Sequence, residues 1–228
     1  MKKTALLLTT LLLTSCNQVV DTVLQDDMLD ANAMLQDTQK EDLSDKEKMS
    51  LLQMREEEKL AHDVYIKMYE LYEKQVFKNI ASSEQTHTNA VKTLIEKYEL
   101  TDPAKTNAGE FSSPDMQKLY TTLVEKGSKS IADALTVGAT VEDLDIKDLQ
   151  EQSKDIDNAD ILLVYSNLER GSRNHMRAFS KNLKAMGDSY IPQYITQKEY
   201  DAIIVSSQEK GGQGRGNGGG NGNGRGKN

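Results

Sequence analysis

Apolar residues recur at alternating steps of three and four through most of residues 44–205, the period of helices that bury one face. One stripe holds Leu51, Met54, Ala61, Tyr65, Met68 and Tyr72. A second holds Ile80, Val91, Leu94 and Tyr98, a third Ile131, Leu135 and Leu149, and a fourth Ile161, Val164, Leu168, Phe179 and Leu183. No segment reads as a strand. Caps and breakers set the expected boundaries. Ser44-Asp45-Lys46-Glu47 is a capping box that opens a first helix running to about Lys74, and a second is predicted from about Asn79 to Tyr98. Ser113-Pro114 starts a short helix that ends near Gly127. Further helices are predicted over about 128–154, 157–186 and 196–205, with Pro103, Pro114 and Pro192 falling where helices should stop. Four long helices and short extra ones make an all-α four-helix bundle the expected fold.

The ends differ from this body. Residues 1–15 combine Lys2 and Lys3 with an apolar stretch from Ala5 to Leu13, which reads as a secretory signal. That stretch is roughly half the ~20 residues a spanning helix requires. Leu13-Thr14-Ser15-Cys16 resembles the lipobox of bacterial lipoproteins, which implies that Cys16 is lipidated and becomes the first residue of an exported chain anchored to the cell envelope. Residues 16–43 read as a flexible tether and 44–205 as the bundle. The remainder, 206–228, reads as a tail that cannot bury enough apolar surface to fold, with ten of the fifteen glycines after residue 210.

Charge and cysteine content narrow the chemistry. A net charge of −8 argues against a phosphate-binding surface, so no nucleic-acid partner is expected. Cys16 is the single cysteine, which excludes an intrachain disulfide, a thiol nucleophile in the body and thiolate metal sites. A metal site would have to use oxygen and nitrogen donors.

Candidate ligands appear where core residues should be. Glu58 falls within the first stripe, Glu84 and His87 within the second, Glu142 and Asp145 within the third, and Ser172 and His175 within the fourth. A buried carboxylate without a partner costs several kcal/mol, so a cation must sit among these acids. The choice lies between a metal ion and an arginine or lysine, and the two histidines favour metal. His62, one turn after Glu58, lies nearer the stripe's edge and reads as a boundary residue.

Glu58-x-x-Ala61-x-x-x-Tyr65 followed by Glu84-x-x-His87 resembles the first half of the ferritin-like superfamily, as in rubrerythrins. Glu56-Glu57-Glu58-Lys59-Leu60-Ala61, the run Glu142–Ile146 and Gly171-Ser172-Arg173-Asn174-His175 look like a bacterial and archaeal ferritin-like family of unknown function. The resemblance implies a ferritin-like bundle with iron or manganese held by Glu58, Glu84, His87, Glu142 and His175. Di-iron members carry a second Glu-x-x-His where this chain has Ser172-x-x-His175, and Asp145 is the candidate for the relocated carboxylate. Helix geometry adds a difficulty: Glu58 lies far from the end of its predicted helix and Glu84 close to the start of the next, a mismatch that a long 74–79 connection would have to absorb.

Three functions remain open: a metal centre that reacts with oxygen or peroxide and draws on an external electron donor, a metal-storage lipoprotein, or a metal-free bundle whose carboxylates pair with Arg55, Arg170, Arg173 or Arg177. Tyr65 is the nearest redox-capable side chain, and core packing is its plainer role. The anchor is testable apart from all three. Cys16→Ala should release the protein from the detergent phase into the aqueous phase, because the tether alone has little apolar surface to insert; unchanged partitioning would refute lipidation.

Overall fold

A computed structural model describes residues 40–210, and among these every regular element is helical. Its elements are α1 (Asp45–Tyr72), α2 (Gln75–Lys97), α3 (Pro114–Gly127), α4 (Ile131–Gln152), a 3-10 turn (Ser153–Asp155), α5 (Ala159–Ala185) and α6 (Gln197–Val205). The signal, Cys16 and most of the tether lie outside the described residues. None of the described helices is long and apolar enough to cross a membrane.

Sequence-coded caps start most of these helices. Ser44 and Glu47 close the expected capping box on α1, and Ser113, Ser130, Asn158 and Thr196 accept from the first turns of α3, α4, α5 and α6. Glu47 also reaches across the bundle, where its second oxygen accepts Asn158 N at 3.0 Å and ties the start of α1 to the start of α5. The exception is α2. It begins at Gln75 rather than near Asn79, and its N-cap Lys74 offers no side-chain acceptor. The connection is therefore only Glu73, in the left-handed conformation at φ 51°, and Lys74.

That early start narrows the axial mismatch. Glu58 lies fourteen residues before the end of α1 and Glu84 nine after the start of α2, a difference of about 7.5 Å at 1.5 Å per residue. The long side chains span it, since donor atoms of Glu58, Glu84 and His87 lie within 4.8 Å of one another. No long connection is needed.

The four long helices pack as two antiparallel pairs, α1 with α2 and α4 with α5, and the pairs meet through α1 against α4 and α2 against α5. The apolar core comes in two bodies. One gathers Leu51, Met54, Val91, Leu94, Leu149, Val164 and Leu168. The other surrounds Tyr65, Met68, Phe77, Leu135 and Phe179. Between them lies a level occupied by Glu58, Glu84, His87, Glu142 and His175, each at most 2 % exposed. Close approach of α4 to α5 depends on Gly138, where a Cβ would come within 2.4 Å of the Phe179 ring.

Loops seal the outside of this level. All residues from Met54 to Ala61 are buried, because the segment between α2 and α3 folds across the outer face of α1. Arg55 pairs with Asp102, Glu56 accepts Ser112 N and Ser113 N, Lys59 donates to Asn107 O, and Asp63 accepts Gly109 N. On the opposite side, Asp143 accepts Tyr190 Oη and the backbone N–H groups of Gln193, Tyr194 and Ile195, which fixes the segment entering α6.

Packing continues past Val205, into the stretch whose sequence reads as a tail. Glu209 bonds both Arg173 and Arg177, and its backbone exchanges two bonds with the Asn174 side chain. These arginines hold the Glu209 carboxyl down to about 2 from the usual 4.5, against a smaller opposing effect of burial. A depressed folded pKa adds stability above the unfolded value and loses it as pH falls. The melting temperature of the full chain should therefore drop between pH 4.5 and about 2 by a larger amount than that of Glu209→Gln. Parallel melting curves for the two proteins would show that the clasp does not form.

Candidate metal centre

Four helices bring five of the six sequence-predicted ligands together. Glu58 comes from α1, Glu84 and His87 from α2, Glu142 from α4 and His175 from α5. They form two groups, Glu58–Glu84–His87 and Glu84–Glu142–His175, in each of which one donor atom per residue lies within 4.8 Å of the others. Glu84 belongs to both. His87 Nδ1 is 2.8 Å from Glu84 Oε2 and 3.3 Å from Glu58 Oε2. His175 Nδ1 is 2.7 Å from Glu84 Oε1 and 3.4 Å from Glu142 Oε2. The imidazoles face each other with centroids 5.5 Å apart and planes 28° from parallel.

These contacts are short but not aligned as hydrogen bonds. Both Glu58 oxygens, Glu84 Oε1, Glu142 Oε2, His87 Nδ1 and His175 Nδ1 are buried with no hydrogen-bond partner. Buried polar atoms are ordinarily satisfied, and six exceptions at one level are better explained by lone pairs directed at shared cations than by pairs directed at each other. Carboxylate oxygens with one imidazole per position suit borderline first-row ions such as iron, manganese or zinc. The residues present thus fit a pair of metal ions.

Electrostatics agree with a site short of positive charge. Burial outweighs His87 and lifts Glu58 to about 8, and burial also raises Glu142. Both histidines take up the deficit: the neighbouring carboxylates overcome burial to raise His87 well above its ordinary value and His175 to about 9. Between two such imidazoles Glu84 is held well below the carboxylate range despite its burial. Without metal, imidazolium is the counter-charge.

Surrounding residues set the donors. Ser83 Oγ lies 3.0 Å from His175 Nε2, so a proton on Nε2 leaves Nδ1 as the donor atom. Tyr65 Oη donates to Glu142 Oε1 at 2.5 Å and is fully buried. His87 lies against Gly171, where a Cβ would meet Cε1 and Nε2 at 2.5 Å. Gly171 is visible in the sequence as an isolated glycine within a helical pattern, a signal of close packing; Ser83 carries no such signal.

Other residues stand apart. Asp145 is 5 % exposed and belongs to neither ligand group, and burial with Glu142 and Glu58 raises it well above its ordinary value. Ser172 turns to its own helix and donates to Leu168 O. His62 pairs with Asp63 at the edge. Of the arginines, Arg55 is committed to Asp102, Arg173 to Glu169 and Glu209, and Arg177 to Glu209, while Arg170 Nη1 donates to Asn167.

Residues 47–207 match the family model described as uncharacterized protein domain DUF2202. The chain belongs to this family. It is similar to the uncharacterized protein MJ0754 of Methanocaldococcus jannaschii, with 56% identity over 173 residues that make up 75% of this chain and 94% of the relative. The crystal structure of hypothetical protein MJ0754 from Methanococcus jannaschii DSM 2661 is similar with a TM-score of 0.74 and 55% identity, over 75% of this chain and 99% of that one. The family match contains every residue of the centre.

Gly171 offers a direct test of this geometry. Gly171→Ala should destabilise the protein by about 1–3 kcal/mol, the usual cost of overpacking, because α5 must move or His87 must tilt. A urea-unfolding midpoint equal to wild type would show that the ring is not wedged there.

Proposed function

We propose that this chain is an envelope-anchored, ferritin-like protein that holds two transition-metal ions, iron or manganese, one in each carboxylate–histidine group, with Glu84 shared between them. The convergence of six unpartnered buried donor atoms carries this reading. Such ions, when bound, supply one-electron chemistry toward dioxygen or peroxide.

The chain's own residues then have defined tasks. Glu58 and Glu142 close the two ends of the site, and His87 and His175 each present Nδ1. Tyr65 keeps a proton against Glu142 Oε1, and burial together with the Glu142 and Glu84 charges raises the phenol well above 10, so it serves as a hydrogen-bond donor. With no cysteine in the body, reducing equivalents would come from an external donor. The metal-free alternative is disfavoured because three of the four candidate arginines are engaged with other acids.

Protein purified without chelators should contain up to two ions per chain, one for each ligand group, and removing them should lower the melting temperature. Glu84→Ala should reduce occupancy of both positions, His87→Ala and His175→Ala of one each, and His62→Ala of neither. Because ligands must be deprotonated and His175 is raised to about 9, binding should weaken as pH falls below that value. Elemental analysis decides: no uptake of iron, manganese or zinc offered in turn, with no effect of chelation, would end the metal reading.

A further inference from the structure

Carboxylates continue beyond the centre. Asp145 lies one helical turn past Glu142 on α4, and Glu57 adjoins Glu58 on α1; they are 5 % and 4 % exposed. Two bonds fix how these antiparallel helices align. Ser50 Oγ meets Gln152 Oε1 at 2.5 Å toward one end, and Tyr65 Oη meets Gly138 O at 3.3 Å toward the other. That register sets Glu57 level with Asp145 and Gln53 close to the level of Asp148. Steps of three and four keep residues 50, 53 and 57 on one face of α1 and 145, 148 and 152 on one face of α4.

Exposure rises outward along this seam. Glu58 and Glu142 are buried at 1 % and 0 %, Glu57 and Asp145 only slightly less, Asp148 is half-buried, and Gln53 is exposed. Among the described residues none of Glu57, Asp145 and Asp148 takes part in an ion pair. Glu57 Oε1 accepts Gln53 Nε2 at 2.7 Å, while its Oε2 is buried with no partner, as is Gln152 Nε2 on the same seam. Neither ion pairing nor apolar packing accounts for acids placed here, and buried acids without compensation cost several kcal/mol.

We propose that Asp148, Glu57 and Asp145 form an entry route along the α1–α4 seam, passing a divalent transition-metal cation from the surface to Glu58, Glu84 and Glu142. The route rests on the two-ion reading of the centre. Each carboxylate replaces part of the ion's hydration shell before the next takes over, and the narrow acidic seam focuses cations toward it. Asp145 is then a transit ligand, which explains a buried acid beside the centre yet outside both ligand groups.

The test is the rate at which the metal-free full-length chain fills with cobalt(II), followed by the visible absorption of the bound ion. Glu57→Gln and Asp148→Asn should each fill roughly tenfold or more slowly, within the range by which focused fields change association rates, yet reach the same final stoichiometry and spectrum as wild type. Wild-type rates in both variants would overturn the route. A lowered final stoichiometry in Glu57→Gln would also overturn it, by making Glu57 a resident ligand. Asp148→Asn, at a half-buried position, keeps the test open if Glu57→Gln fails to fold. Wild-type protein that takes up no cobalt(II) would remove the centre itself and is seen before any variant is compared.

Discussion

A level of buried acids divides the core, and the rest of the bundle is arranged around the cost of keeping it there. Glu58, Glu84 and Glu142 are almost wholly withdrawn from water, at an expense comparable to a sizeable part of a domain's ~5–15 kcal/mol of stability. Two apolar bodies on either side provide the cohesion that tolerates them. The histidines supply positive charge in the metal-free chain, but at a geometry that leaves donor atoms unpaired. A metal pair would satisfy the same atoms, so occupancy and stability are linked through one set of contacts.

Keeping that level dry requires more than four helices. The outer face of α1 would expose its charged run, Arg55 to Lys59, unless covered. Several charges in the run instead hold something: Arg55, Glu56 and Lys59 fasten the segment before α3, and Asp143 on α4 fastens the segment before α6. The bonds from Glu56, from Lys59 and from Asp143 to Ile195 satisfy backbone groups that no helix or strand would otherwise satisfy. The irregular segments therefore stabilise the site by excluding water from its outer sides.

Much of this was legible in the sequence, for identifiable reasons. Helix periodicity exposed Glu58, Glu84, His87, Glu142 and His175 as polar residues on apolar stripes, and caps such as Ser44 and Thr196 marked where helices begin. The start of α2 was not legible because Lys74 offers no capping acceptor. Glu56 lies off the apolar stripe, and its burial depends on a segment some fifty residues away in sequence, which periodicity does not show. Asp145 shares a stripe with Glu142, and periodicity alone cannot distinguish facing a ligand group from facing the neighbouring seam. Glu209 lies within a polar stretch, and its own place is fixed by bonds to α5, chiefly those with two arginines, which periodicity does not reveal.

The two proposed metal positions are not equivalent, because the residues behind their ligands differ. On the Glu142–His175 side, Tyr65 fixes a carboxylate oxygen and Ser83 meets the far imidazole nitrogen, so both ligands are held in place before any ion arrives. On the Glu58–His87 side, both Glu58 oxygens are without partners and His87 is positioned by contact with Gly171 instead. Preorganised donors lose less freedom on binding, which favours the Glu142–His175 position as the tighter one. Glu58, with neither oxygen held by a hydrogen bond and adjacent in sequence to Glu57, would be the ligand suited to receive an ion from the proposed seam. Glu84, common to both groups, would offer one carboxylate oxygen to each position.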